Sequence, residues 1–231
     1  MSRLVLAWSG GKDSLLALAA LKRDPDSDVL GLVTAISTVY DRISMHGIRR
    51  SLLVAQCDAL GLPCVEAALP ADPSNDDYER VWAEALAEAR GRWGHFTGVA
   101  YGDLFLADVR AYRDRQIAAL GLATHYPLWG SDTASLARAF IAAGHAAVVS
   151  CVDTRQVDGA FAGACYDEAF LDALPAGVDP CGENGEFHTC VVGGPLFARP
   201  IAVRTGARVL REARFQYVDL VPAHEPAGMQ A

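Results

Sequence analysis

Six consecutive residues, Ser9-Gly10-Gly11-Lys12-Asp13-Ser14, carry the densest chemistry of the chain. An apolar run, Leu4-Val5-Leu6-Ala7-Trp8, leads into them and a leucine- and alanine-rich segment follows. Strand, glycine turn and helix in that order aim several backbone N–H groups and the positive end of a helix dipole at one point. Such a point binds phosphate. The spacing is not that of a Walker loop, where Gly-Lys is followed directly by Ser or Thr; here Asp13 follows Lys12. The plainer alternative is an ordinary strand-to-helix turn with Ser9 as the helix cap.

A second cluster lies far along the chain, at Asp179-Pro180-Cys181-Gly182-Glu183-Asn184-Gly185-Glu186-Phe187-His188-Thr189. Asn184-Gly185 is a strong signal for a two-residue hairpin turn, which would set Glu183 and Glu186 opposite each other across a strand pair. Like charges there are destabilising, so the pair needs a cation, an amine or a proton, and both glutamates read as functional. Gly102-Asp103 ends a strand; Gly102 allows close backbone approach, and Asp103 offers a carboxylate to a metal, a ribose or an amine, or caps the next helix. Ser37-Thr38 ends another strand, and His46 stands in the loop beyond it. Trp129 offers a ring for stacking, although the core is the ordinary place for a tryptophan.

The elements needed to position these residues can be read from periodicity. Helices are expected at about 14–23, 48–60, 75–93, 109–120 and 133–143, and strands at 4–8, 29–37, 63–69, 97–101, 123–129 and 146–152. The helix at 48–60 carries Leu52, Leu53, Gln56, Cys57 and Leu60 on one stripe and stops at Gly61. Alternation of strand and helix implies parallel βαβ units, and ligands then sit beyond the carboxyl ends of the strands. The fold expected is α/β: an open, twisted, mostly parallel sheet with helices on both faces and a smaller C-terminal α+β unit. The division expected is 1–125 for the first unit, 126–222 for the second, and a polar tail at 223–231. A single last element is expected at 209–221.

At 231 residues, 52% of them hydrophobic, the chain can bury a sheet on both faces. A net charge of −8 argues against a broad nucleic-acid surface. No window reaches the roughly 20 apolar residues of a membrane helix and no leader-like pattern opens the chain, so a soluble cytoplasmic protein is expected. Six cysteines without a Cys-x-x-Cys pair read as reduced thiols; Cys181, His188 and Cys190 offer three zinc ligands without an evident fourth.

The hexapeptide at residues 9–14 resembles the PP-loop of ATP pyrophosphatases, which split ATP between its α and β phosphates. Together with Gly102-Asp103, Gly121-Leu122 followed by Pro127-Leu128-Trp129, and Cys181-Gly182-Glu183-x-Gly185-Glu186-Phe187-x-Thr189, it resembles the diphthine–ammonia ligase family over about residues 3–200. Asn184 departs from the glycine usual between the two glutamates, and the stretch around Arg110 and Arg113 looks like a prokaryotic branch. The resemblance implies an adenine nucleotide α-hydrolase-like fold, with ATP and Mg²⁺ as cofactors. It also implies adenylation of the diphthine carboxylate of elongation factor 2, then amidation by ammonia; a bacterial chain would serve another acceptor. On that reading Ser9, Gly10, Gly11, Lys12, Asp13, Ser14, Ser37, Gly102 and Asp103 bind ATP. Lys12, Asp13, Glu183 and Glu186 are catalytic, Asp13 holding Mg²⁺. His46, Asp103, Trp129, Glu183, Glu186 and Thr189 contact the acceptor or amine. The partners implied are small molecules and a protein acceptor, without membrane or nucleic acid, and a homodimer is compatible with them. A tRNA-modifying PP-loop enzyme and a non-catalytic ATP sensor are the alternatives.

Overall fold

The computed structural model describes residues 1–223, so the expected tail lies, apart from Ala223, outside the described residues. The chain opens with β1 (Ser2–Ala7), α1 (Lys12–Arg23), β2 (Ser27–Ser37), β3 (Arg42–Ile43), α2 (Arg50–Leu60) and β4 (Cys64–Leu69). It continues with α3 (Asn75–Trp93), β5 (Gly98–Ala100), α4 (Ala107–Ala119) and β6 (Ala123–His125). Strands β4, β2, β1, β5 and β6 lie side by side and parallel, and short β3 pairs antiparallel with the end of β2. Leu4, Val5 and Leu6 are fully buried because β1 is covered on both faces, which is why the strand reads as an unbroken apolar run.

Strand order decides where a ligand can sit. From β1 the chain moves to β2 on one side and later returns to β5 on the other, so the crevice opens between the carboxyl ends of β1 and β5. The loops leaving those ends hold Ser9–Gly11 and Gly102-Asp103, as expected.

The rest of the chain adds α5 (Thr133–Ala142), β7 (Ala146–Asp153), α6 (Glu168–Ala173), β8 (Phe187–Gly193), β9 (Val203–Arg211) and β10 (Phe215–Pro222). These strands form an antiparallel sheet in the order β8-β7-β10-β9. One apolar core runs from Leu4, Leu15 and Leu52 to Phe187, Cys190 and Val218, so the two sheets share an interior.

Local chemistry explains three departures from expectation. The single element at 209–221 is a hairpin: Glu212 and Ala213 both take positive φ (54° and 49°) and close a tight turn without the glycine or asparagine that announces one. Strand β6 stops at His125, and residues 127–129 turn away. Residues 179–186 are not a hairpin at all. The Asp179 carboxylate accepts from Cys181 N at 2.8 Å and Glu183 N at 3.3 Å, gathering the segment into a loop, and β8 begins only at Phe187 and pairs with β7.

Candidate active site

Helix α1 begins at Lys12, with Gly11 as its N-cap and no side-chain cap; Ser9 does not cap it, its Oγ accepting weakly from Gly11 N at 3.3 Å. Gly10 needs its positive φ of 76°, and a Cβ there would strike Ile48 at 2.8 Å. A strand from the far end of the chain fixes this turn. Lys12 N donates to Thr189 Oγ1 at 3.0 Å, and Val191 N donates to Gly10 O at 2.9 Å. Gln56 completes the clamp: its Oε1 accepts from Trp8 Nε1 at 3.0 Å, while its Nε2 donates to Gly10 O at 3.1 Å and Val191 O at 2.8 Å. Thr189→Val should therefore lower stability by about 1–3 kcal/mol in a thermal melt, since it leaves a buried N–H without its acceptor. An unchanged melting temperature would show the hydroxyl to be idle.

A cavity of about 750 Å³ opens over this turn. Ser9, Lys12, Asp13, Ser14, His46, Gly102, Asp103, Glu183 and Thr189 all line it, drawn from five separate stretches of sequence. Gly102 is packed so tightly on the first turn of α1 that a Cβ would lie 2.8–2.9 Å from backbone atoms of Asp13 and Ser14. The close approach is to the helix itself. Gly102→Ala should cost about 1–3 kcal/mol as an overpacked backbone contact, read as a lowered melting temperature; full retention of stability would contradict that packing.

Lys12 is 2% exposed, with Nζ donating to Asp13 Oδ2 at 2.9 Å and to the Cys181 carbonyl. Burial opposes its charge, but Asp13 and the fields of Cys181 and Glu183 outweigh burial and hold the ammonium above its ordinary pKa. Asp13 keeps Oδ1 buried and without a hydrogen-bond partner. One carboxylate oxygen without a partner beside a glycine turn would suit Mg²⁺ if phosphates lay on that turn, since Mg²⁺ is held by one or two carboxylates together with substrate phosphates. Among the described residues no group of three or more His, Cys, Asp or Glu could hold a metal by itself.

Glu183 closes the cavity from the later loop. Its Oε1 accepts from Leu104 N at 2.7 Å and Phe105 N at 3.3 Å, tying residues 179–186 to the loop after β5. Burial pushes its carboxyl up to about 7 despite those N–H donors, with Asp13 adding to the rise. Glu186 points elsewhere: it is 2% exposed, outside the cavity lining, and its Oε1 accepts from Asp179 N and Asn184 Nδ2, both at 3.0 Å. The two glutamates therefore escape the repulsion of facing side chains by diverging, and Asn184 serves the loop as a donor.

Asp103 does not cap α4, whose N-cap is Leu106. It pairs with Arg113, Nε to Oδ2 at 2.9 Å, and Arg113 lies over the Tyr101 ring at 4.3 Å. Arg113 and Tyr101 line the cavity; the sequence marked Arg113 only by its family branch and Tyr101 not at all. His188 also lines it, its ring 4.5 Å from that of His46. Burial, His188 and Lys12 drive His46 far below its ordinary pKa, and burial and Lys12 push His188 down to about 4, so both rings are neutral near pH 7. Cys181 donates instead to Thr133 O and Cys190 receives Gln56, so neither joins His188 as a ligand. Ser37 lines a neighbouring cavity, and Trp129 lies outside both, with Arg110 over its ring at 4.6 Å.

Among the described residues no helix is long and apolar enough to cross a membrane. No curated protein matches the chain significantly. The family model described as diphthamide synthase N-terminal domain matches residues 2–123, and that described as diphthamide synthase C-terminal domain matches residues 132–220. The two matches together span nearly all of the described residues, and the chain belongs to the diphthamide synthase (diphthine–ammonia ligase) family of the PP-loop class.

Proposed function

We propose that the protein adenylates a carboxylate with ATP and then converts the adenylate to an amide with ammonia. The observation that carries this reading is the meeting of Lys12, at the start of α1, with Glu183 in one cavity. The triphosphate would lie on the backbone of Gly10 and Gly11, with Ser9 and Ser14 as hydroxyl partners and Gly102-Asp103 as its border. Mg²⁺, held by Asp13 Oδ1 and the phosphates, would neutralise phosphate charge.

In the first step a carboxylate oxygen of the acceptor attacks the α-phosphorus, and the α–β bridging oxygen leaves with pyrophosphate. Lys12 Nζ stabilises the charge that gathers on that oxygen. In the second step ammonia attacks the acyl carbon and AMP leaves with the bond electrons. The proton lost from nitrogen passes to the ionised Glu183 carboxylate, whose pKa near 7 suits a base at neutral pH. The neutral rings of His46 and His188 offer lone pairs to an amine without repelling ammonium. Thr189 and Glu186 are positioning residues, the first for Lys12 and the second for the 179–186 loop. Ser37 and Trp129, outside the cavity, take no part. The chain would work as two units, 1–125 for ATP and 126–222 for the acceptor side, in the cytoplasm.

The test supplies elongation factor 2 bearing diphthine, ATP, Mg²⁺ and ¹⁵N-ammonium. The expected result is ¹⁵N in an acceptor amide, formed in step with AMP. AMP formation without ¹⁵N in the protein would overturn ammonia as the nucleophile. No stimulation by this acceptor would overturn the acceptor.

A further inference from the structure

A second cavity, of about 400 Å³, lies between the β2–β3 turn and the β9–β10 hairpin. It runs into the ATP cavity: Ile43, Ser44, Met45 and Phe215 line both. Its rim is unusually apolar for solvent-facing surface. Val39, Tyr40, Met45 and Val209 are exposed by 57%, 52%, 66% and 43%, and they make up half of the large exposed hydrophobics among the described residues. Contiguous apolar surface of this kind marks a binding groove.

Strand β9 forms one wall. Among the described residues it is an edge strand, bonded only to β10, and residues 205–211 are all exposed, so its outer N–H and C=O groups face no other described strand. Ala207, Val209 and Arg211 alternate into the groove. The strand carries three arginines, Arg204, Arg208 and Arg211, and no acid, in a chain of net charge −8. Of the three acids that line the groove, Asp72, Glu212 and Asp219, the last is held by Arg42 at 2.9 Å and Arg49 at 2.7 Å. All five non-glycine residues with positive φ among the described residues, Asp41, Met45, Asp72, Glu212 and Ala213, fall in the loops bordering this groove. Such clustering of costly backbone conformations is a mark of functional surface.

We propose that this groove docks an extended, acidic segment of a polypeptide acceptor, laid along β9 as an added strand, with apolar side chains in the groove, carboxylates on the other face toward Arg208, and a carboxylate at the groove's end toward Arg211. The proposal rests on the carboxylate-acceptor reading above and adds to it a docking surface and the acceptor's route into the ATP cavity. Backbone pairing supplies affinity and the alternating side chains supply selectivity. A second copy of the chain fits poorly as occupant, because self-pairing through β9 sets three arginines of each copy along one seam.

The test is fluorescence anisotropy on the full chain, without ATP, using a labelled peptide of alternating valine and glutamate matched to the nine residues of β9. Saturable, salt-sensitive binding is expected, weakened about tenfold or more by Val209→Asp and by the double change Arg208→Glu, Arg211→Glu. The alternating valine–lysine peptide should not bind, and a peptide with valines and glutamates in separate blocks should bind worse. Absence of binding, equal binding of the block peptide, or indifference to both variants would overturn docking. So would a dimer, seen by sedimentation, that both variants dissociate. Because the assay involves no ATP, docking can stand while the ligase chemistry fails, and the reverse.

Discussion

Lys12→Met should slow AMP formation by about 10²–10³-fold, the usual loss when a preorganised group facing a developing oxyanion is removed. Position explains the size of the effect. The ammonium is buried at the first turn of α1, so no water or neighbouring cation takes its place. The melting temperature should fall as well, because the Asp13 carboxylate and the Cys181 carbonyl lose their donor, so rates are compared well below the variant's melt. Methionine fills the slot beside the Tyr166 and Phe187 rings, which lie 5.7 and 5.4 Å from Nζ, and its flexible thioether packs well against aromatic faces. Lys12→Arg should not restore the rate, because a planar fork does not fit a slot shaped for a point charge. Retention of more than about a tenth of the wild-type rate in Lys12→Met would remove Lys12 from the chemistry.

Glu183→Gln should lower the rate at pH 8 by about 10²-fold, within the range for loss of a general base. With the free ammonia concentration held constant across the series, the wild-type rate should climb as pH rises through about 7, where Glu183 ionises, and then level. The variant should lack that climb. Stability should move the other way. The folded carboxyl titrates near 7 and the ordinary value is 4.5, so between those pH values the unfolded chain has already released a proton that the folded chain retains. Wild-type stability therefore falls across that window and stays lower above it. Glutamine preserves the acceptor for Leu104 N and Phe105 N without the charge, and at pH 8 should stabilise the protein by about 1–2 kcal/mol after allowance for partial exposure. Paired melts at pH 5 and pH 8 check this. A variant less stable than wild type at pH 8, or one with an unchanged pH–rate profile, would remove Glu183 from the role of strained base.

Which parts of the site could be read from sequence follows from how local their causes are. The phosphate turn is local: an apolar strand, two glycines and a helix former suffice, and residues 9–14 take the place their order implies. Gly102-Asp103 was legible for the same reason, since both lie at a strand end on the edge where ligands gather. The loop at 179–186 was legible as a site but not as a shape. Asn184-Gly185 signals a hairpin, yet the Asp179 carboxylate draws the same N–H groups into a loop and turns Glu186 inward. Ser37 and Trp129 were carried by motif position alone, and the packing of β3 and of Arg110 sets them apart from the cavity.

Tyr101 reaches the cavity through tertiary packing, which leaves no motif in the chain; His188 and Arg113 stood in stretches the sequence singled out, but their place in the cavity comes from the same packing. Gln56 did leave a signal: a polar amide in an otherwise apolar helical stripe must be satisfied by buried partners. Those partners are the phosphate turn and β8. The β9–β10 turn was hidden because Glu212 and Ala213 adopt positive φ without being residues that favour it.

The central claim is that the loop around Lys12 directs cleavage to the α–β linkage of ATP, and the nucleotide products test it most directly. The protein, ATP, Mg²⁺, ammonium and diphthine-bearing elongation factor 2 are incubated, and products are separated by anion exchange, with Lys12→Met as the background. The account predicts AMP and pyrophosphate in equal amounts, absent from the variant. ADP and phosphate, formed by wild type and not by the variant, would contradict it.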